Sequence, residues 1–261
     1  MKFNVVFNKN IENYQTVLNR IESFLTKKDA DFKVFDLDSL ENYGDLTFVI
    51  GGDGTILRAA RFYSEYKTPV LGINLGRLGF LSQTCEEEFD SLFESIIAGN
   101  YSVEERLMLE SIDKIALNDF VIKGCDSSRT SKFYLEINDE EVCDYIADGL
   151  IISTPTGSTA YGLSAGGPVV YPTMDAMVIV PICPHTLNAR PLVVPSSENI
   201  TVRTADKLLS VSIDGYETEN CVDKITIKTS SKKAYLAFLK DERFYSVLRN
   251  KLHWGIAPSR F

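Results

Sequence analysis

Histidine is almost missing from this chain: only His185 and His253 occur among 261 residues, beside a single tryptophan. A zinc site or a His-centred nucleophilic triad therefore has little to work with. The five cysteines, Cys85, Cys125, Cys143, Cys183 and Cys221, are odd in number and never form a Cys-x-x-Cys pair. That pattern predicts reduced, mostly structural thiols rather than a disulfide framework or a metal knuckle. No segment approaches the ~18 uninterrupted apolar residues of a membrane span, and the apolar run at Met1–Asn8 is too short for a secretory signal, so a cytoplasmic protein that does not enter membranes is expected. Positive charge is also in deficit. A net charge of −9 argues against a general nucleic-acid or anionic-membrane surface, and any polyphosphate site must be built locally from glycine, arginine or a metal ion. The two familiar nucleotide loops are absent as well: there is no Gly-x-x-x-x-Gly-Lys-Ser/Thr, and Gly51–Thr55 does not fit Gly-x-Gly-x-x-Gly.

What the chain does have is Val49-Ile50-Gly51-Gly52-Asp53-Gly54-Thr55. A short apolar strand, Leu46–Ile50, empties into three glycines around one aspartate, and an amphipathic helix is predicted from Thr55 to Tyr66. Glycines let the backbone turn sharply and approach a ligand, and the positive end of the following helix suits an anion. Asp53 would repel phosphates unless it takes up a proton or helps to hold a divalent cation, which points to catalysis. The plain alternative is an aspartate that only caps the helix.

The first hundred residues alternate strand and helix: strands at Phe3–Phe7, Phe32–Phe35, Leu46–Ile50 and Pro69–Ile73, helices at Ile11–Leu25, Thr55–Tyr66 and Glu86–Ala98. This rhythm predicts a Rossmann-like α/β domain over residues 1–103, its ligand crevice at the carboxyl ends of parallel strands, where Asp53 and Asn74 both fall. Beyond it, short strands at Ile112–Leu117, Phe120–Ile122, Phe133–Ile137, Leu150–Ser153, Asn199–Arg203, Leu208–Ile213 and Lys224–Thr229, with turns at Asn138-Asp139 and Asp214-Gly215, predict an antiparallel β-sandwich domain over 104–239. The tail, 240–261, carries a helix at Arg243–Leu252 and is expected to return to the first domain. The polar run 126–132 reads as a loop.

Within the β region one stretch breaks the strand texture. Asp148-Gly149 leads through Leu150–Ser153 into Thr154-Pro155-Thr156-Gly157-Ser158-Thr159-Ala160-Tyr161-Gly162-Leu163-Ser164. Small side chains and hydroxyls expose backbone that can read a purine edge, and Tyr161 offers a stacking face. Composition alone slightly favours a Ser/Thr-rich turn beside an ordinary tyrosine.

Gly-Gly-Asp-Gly-Thr after a strand resembles the signature shared by NAD kinases, diacylglycerol and sphingosine kinases and, more distantly, phosphofructokinases. With Asn118-Asp119 and the block from Asp148 to Tyr161 following in order, the chain resembles the bacterial NAD kinases, and Leu71-Gly72-Ile73-Asn74, Gly79-Phe80 and Arg190–Pro195 extend the likeness to nearly its whole length. The resemblance implies transfer of the γ-phosphoryl group of ATP to the 2′-hydroxyl of the adenosine ribose of NAD, giving NADP. It implies Asp53 as base, Gly51, Gly52, Gly54, Thr55 and Arg58 at the triphosphate, and Asn118, Thr156 and Thr159 at the adenine or its ribose. It further implies Asp119 at a ribose hydroxyl, Ala160, Tyr161 and Ser164 around the base, Asp148 toward the nicotinamide end, Mg²⁺ or Mn²⁺ carried mainly by the triphosphate, and a homodimer or homotetramer. Inorganic polyphosphate is a second donor known among such relatives. Two positions depart from the family pattern: Ile146 stands where an arginine is common, and Asp119 where many relatives carry glutamate. Arg129, near Asn118 in sequence, is a candidate replacement cation. The competing readings are a diacylglycerol-type lipid kinase, disfavoured by the net charge and by the block from Asp148 to Tyr161, and a non-catalytic NAD-binding sensor.

Overall fold

The computed structural model describes residues 1–75, 79–84, 89–125, 130–204, 208–239 and 244–254. The chain forms two compact units, Met1–Glu105 with Ala234–Phe261, and Arg106–Lys233.

The first unit is built on β1 (Lys2–Phe7), α1 (Tyr14–Lys27), β2 (Asp31–Asp36), β3 (Leu46–Ile50), α2 (Asp53–Ser64), β4 (Val70–Ile73), β5 (Ser82–Thr84) and α3 (Phe89–Ile97). Strands β2, β1, β3 and β4 lie side by side and parallel. Each residue of β3 is buried, as expected of a central parallel strand covered on both faces. Successive β3 side chains point to opposite faces. Phe48 and Ile50 join Phe3 and Val5 of β1, Val17, Leu18, Ile21 and Leu25 of α1, and Phe93 and Ile96 of α3 in one cluster. Burying each such side chain contributes roughly 1.5–3 kcal/mol. The residues of α2 are absent from that cluster although α2 packs on β3 and β4, so it covers the opposite face. α1 starts at Tyr14, three residues later than the apolar spacing suggests, because Asn13 adopts a left-handed conformation that no helix interior accommodates. α2 starts at Asp53, two residues earlier than expected from the sequence.

The second unit holds most of β6 (Tyr101–Ser111), then β7 (Lys114–Ala116), β8 (Asp119–Gly124), β9 (Ser131–Ile137), β10 (Glu140–Ala147), β11 (Gly149–Ser153), α4 (Tyr161–Ser164), β12 (Ala176–Ile182), β13 (Leu192–Pro195), β14 (Ile200–Thr204), β15 (Leu209–Ile213), β16 (Glu217–Val222) and the start of β17 (Lys224–Leu239). The chain closes with α5 (Phe244–Leu252) in the first unit. One antiparallel sheet runs β10-β9-β14-β17, the other β13-β12-β11-β8-β15-β16. Phe133, Leu135, Ile200, Val202, Ile225 and Ile227 of the former meet Phe120, Ile122, Leu150, Ile152, Ile179, Val211 and Ile213 of the latter in a single core. This is the β-sandwich that the alternating strands predict. The far face of the second sheet is covered too: Val121, Ile151, Val178 and Val180 pack with Val170 and Ala165 from the glycine-rich segment after β11.

The expected strand Ile112–Leu117 is shorter than its sequence suggests: only Lys114–Ala116 is strand, and it forms the second arm of a hairpin with β6. Ile112 and Asp113 have φ of 52° and 57°, which turns the chain between β6 and β7, a rare conformation for a β-branched residue. Asn138-Asp139 and Asp214-Gly215 do turn at positive φ, as expected. Cys125, Cys143 and Cys183 are free thiols. Among the described residues no helix is long and apolar enough to cross a membrane.

Candidate functional site

In the first unit the chemistry gathers where β3 ends. The Gly51 amide continues the ladder by donating to the Ile73 carbonyl at 2.9 Å, and Gly52 accepts the first helical bonds, from Thr55 and Ile56. The amides of Asp53 and Gly54 therefore belong to the first turn of α2, where N–H groups have no partner inside the helix. Together with the positive end of the dipole they make an environment suited to an anion, and Asp53 places a carboxylate within it.

Asp53 is held from three directions. Its Oδ2 accepts the Phe80 amide at 2.9 Å, its Oδ1 accepts the Leu81 amide at 3.2 Å, and the Lys251 Nζ of α5 donates to Oδ2 at 3.3 Å. Gly79 explains why the second glycine loop can come so close: a Cβ there would stand 1.9 Å from Asp53 Oδ1. The loop is pinned at its other side by buried Ser82, whose Oγ accepts the Gly79 amide at 2.8 Å and the Asn74 Nδ2 at 3.3 Å. Asn74 thus supports the loop that supports Asp53. Thr55 is buried, and its Oγ1 accepts from Asn8 at 3.2 Å. Arg58 is paired with Asp38 at 2.9 Å. Lys9 first and Arg58 second hold the Asp38 carboxyl below the ordinary carboxylate range.

In the second unit Asn118, Asp119, Ala160 and Tyr161 line a common cavity of about 420 Å³, with Val121, Lys123, Ser210, Ser212, Asp214 and Gly215 completing it. The volume falls within the range of small-ligand sites. Two devices bring 118–119 against 154–161. Thr154 donates its amide to the Asn118 carbonyl at 2.9 Å and its hydroxyl to the Leu117 carbonyl at 2.6 Å. Gly157 then lies so close that a Cβ would stand 2.1 Å from the Asn118 carbonyl oxygen. Thr156 is buried and accepts from Arg106 at 3.3 Å, and Thr159 donates to the Thr156 carbonyl. Gly157–Thr159 make a single tight 3₁₀ turn ahead of the four-residue α4, the broken helix that so many glycines and hydroxyls favour.

Asp214, read from the sequence only as a turn residue, is part of this site. Its carboxylate accepts three successive amides, from Leu117 at 3.0 Å, Asn118 at 2.7 Å and Asp119 at 3.0 Å. Three N–H groups thus converge on one buried carboxylate. Asp119 lies beside that charge. Burial, and secondarily the Asp214 charge, push its carboxyl up from 3.8 to about 7. The only sequence signal for Asp214 is the Asp-Gly turn after an alternating strand, which marks a hairpin and nothing more. Lys251 had no signal beyond its place on the tail helix.

Other candidates lie apart from the cavity lining. Ser164 and Asp148 are exposed, Asp148 donating its amide to the Ile182 carbonyl at 3.0 Å. Ile146 is 42% exposed and its carbonyl accepts the His185 amide. Arg129 lies outside the described residues.

Comparison with known proteins agrees with this division. Residues 3–101 match the ATP-NAD kinase N-terminal domain and residues 117–239 the ATP-NAD kinase C-terminal domain. An NAD kinase of Magnetococcus marinus is 40% identical over 241 residues, 85% of this chain and 79% of that protein. One from Clostridium botulinum is 38% identical over 258 residues, 92% of each chain. The crystal structure of an NAD kinase from Archaeoglobus fulgidus in complex with ATP superposes with a TM-score of 0.81 at 28% identity, covering 97% of this chain and 99% of that one. Yeast NADH kinase complexed with NADH shares the fold, with a TM-score of 0.87 at 23% identity over 100% of this chain and 89% of that one. Matched by both domain models and by relatives along most of its length, the chain belongs to the NAD kinase family.

Proposed function

We propose that this chain transfers the γ-phosphoryl group of ATP to the 2′-hydroxyl of the adenosine ribose of NAD, producing NADP. The observation that carries this reading is the Asp53 carboxylate, fixed by the Phe80 and Leu81 amides at the N-terminal end of α2. A ribose hydroxyl is a weak acid, so the carboxylate works by orienting it and accepting its proton as the bond to phosphorus forms. Gly51, Gly52, Gly54 and Thr55 offer the turn and the amides to triphosphate oxygens. Asn118, Asp119, Thr156, Thr159, Ala160, Tyr161 and Ser164 receive the adenosine half of NAD, with Asp119 at a ribose hydroxyl and Tyr161 against the base. Asp148 faces the nicotinamide end of a dinucleotide.

Among the described residues no three His, Cys, Asp or Glu side chains gather to hold a metal, and the loop's one carboxylate already accepts three donors. These residues fit a divalent ion that arrives on the triphosphate rather than one held by a protein cage. Such an ion neutralises charge on the phosphates. The same site could accept inorganic polyphosphate, which carries the same anhydride. A cytoplasmic homo-oligomer is part of the proposal.

Purified protein with NAD, ATP and Mg²⁺ is expected to yield NADP, followed with an NADP-specific dehydrogenase. Asp53→Asn should lower kcat by roughly 10² to 10⁴-fold while calorimetry shows NAD binding unchanged. Full turnover by that variant would remove Asp53 from the role of base.

A further inference from the structure

We propose that Lys251 is a catalytic residue: its ammonium stabilises the transferring phosphoryl group while holding Asp53 in line with the acceptor hydroxyl. The inference rests on the phosphoryl-transfer reading above and adds a residue from the far end of the chain. Lys251 Nζ lies 3.3 Å from Asp53 Oδ2 and 4.4 Å from the centroid of the Phe80 ring. Phe80 also donates its amide to the same Asp53 oxygen. One short segment thus holds both the carboxylate and the cation, and the lysine's direction is set by two contacts from different residues.

The electrostatics require such a group. The chain carries nine more acidic than basic charges, and the site must gather a triphosphate around a carboxylate. Arg58, the arginine nearest in sequence to the glycine loop, is paired with Asp38. An ammonium has three donors, so Lys251 can keep one on Asp53 and turn others toward phosphoryl oxygens. It is about one-third exposed, open enough to meet a ligand. A mere lock on Asp53 would use a longer, bidentate arginine equally well, whereas a compact point charge suits three phosphoryl oxygens. In the step itself the 2′-oxygen bonds to the γ-phosphorus as the bond from that phosphorus to ADP breaks. The hydroxyl proton passes to Asp53, ADP leaves with the electron pair, and Lys251 remains an ammonium throughout.

The test compares wild type, Lys251→Ala, Lys251→Arg and Asp53→Asn in the NADP-forming assay. Lys251→Ala should lose roughly 10² to 10³-fold in kcat, with KM for NAD within about threefold. Ethylammonium added to Lys251→Ala should restore turnover at least about tenfold, and do nothing for Asp53→Asn. Lys251→Arg should retain part of the activity. If Lys251→Ala melts early, Lys251→Met, which keeps the aliphatic stem on Phe80, takes its place. A kcat within about threefold of wild type, or a loss that neither ethylammonium nor Lys251→Arg repairs, overturns the proposal. Activity surviving Asp53→Asn while Lys251→Ala fails would instead condemn the base assignment, and no NADP from the wild type would overturn both.

Discussion

Replacing Asp119 by asparagine should stabilise the protein, and only above a certain pH. The folded state holds the Asp119 carboxyl near 7 against an ordinary 3.8, first by burial and then through the Asp214 charge. Between those values the folded protein keeps a proton that the unfolded chain has released. Stability contributed by that proton is complete below about pH 4 and is lost as pH rises through about 7. The gap between 3.8 and about 7, at about 1.36 kcal/mol per pH unit, gives an upper limit of about 4 kcal/mol. Asparagine has the same shape and never ionises, so it escapes the loss. Urea denaturation of both proteins from pH 4 to 8 isolates the effect, because every other carboxylate cancels in the difference. The variant's advantage should be near zero at the acid end and grow until about pH 7, then level off. A difference that stays flat across this range, or grows toward acid, would refute the reasoning and mean that Asp119 is ionised throughout.

Asp214→Ala removes the acceptor of three amides and should cost about 3 kcal/mol in urea denaturation. It should also bring Asp119 back toward the ordinary carboxylate range and shrink the pH dependence; a loss under about 0.5 kcal/mol would mean water replaces the carboxylate easily. Gly157→Ala drives a methyl group against the Asn118 carbonyl and should cost about 1–3 kcal/mol with a raised KM for NAD. Gly162→Ala, where the added methyl would stand 3.6 Å from the Ser153 hydroxyl oxygen, should leave both almost unchanged, and equal behaviour of the two would deny the close approach.

The fold class was legible because hydrophobic period and glycine placement carry it: alternation of strand and helix before residue 100, and short alternating strands after it. What escaped was what period does not encode. β12, Ala176–Ile182, is buried at every position, so it shows no alternation to read. Ile112 looks like a strand residue and turns a corner, because hairpin geometry between β6 and β7 overrides its propensity. The site divides in the same way. Asp53 and the block after Asp148 declare themselves through contiguous glycines and hydroxyls. Asp214 and Lys251 reach the same places across 95 to 97 residues and 198 residues of sequence, and no local pattern can announce a partner so distant.

The second unit is a continuous stretch of chain, whereas the first is assembled from both ends, Met1–Glu105 and Ala234–Phe261. During synthesis the sandwich can therefore finish while its host is still open. Val70 of β4 waits for Leu236, and Asp53 meets its ammonium only once residue 251 has left the ribosome. Loop closure over such a span is slow compared with local pairing. If Lys251 acts as proposed, a stalled or clipped chain could fold its sandwich and still lack a working kinase, so that activity would report completed translation as well as correct folding.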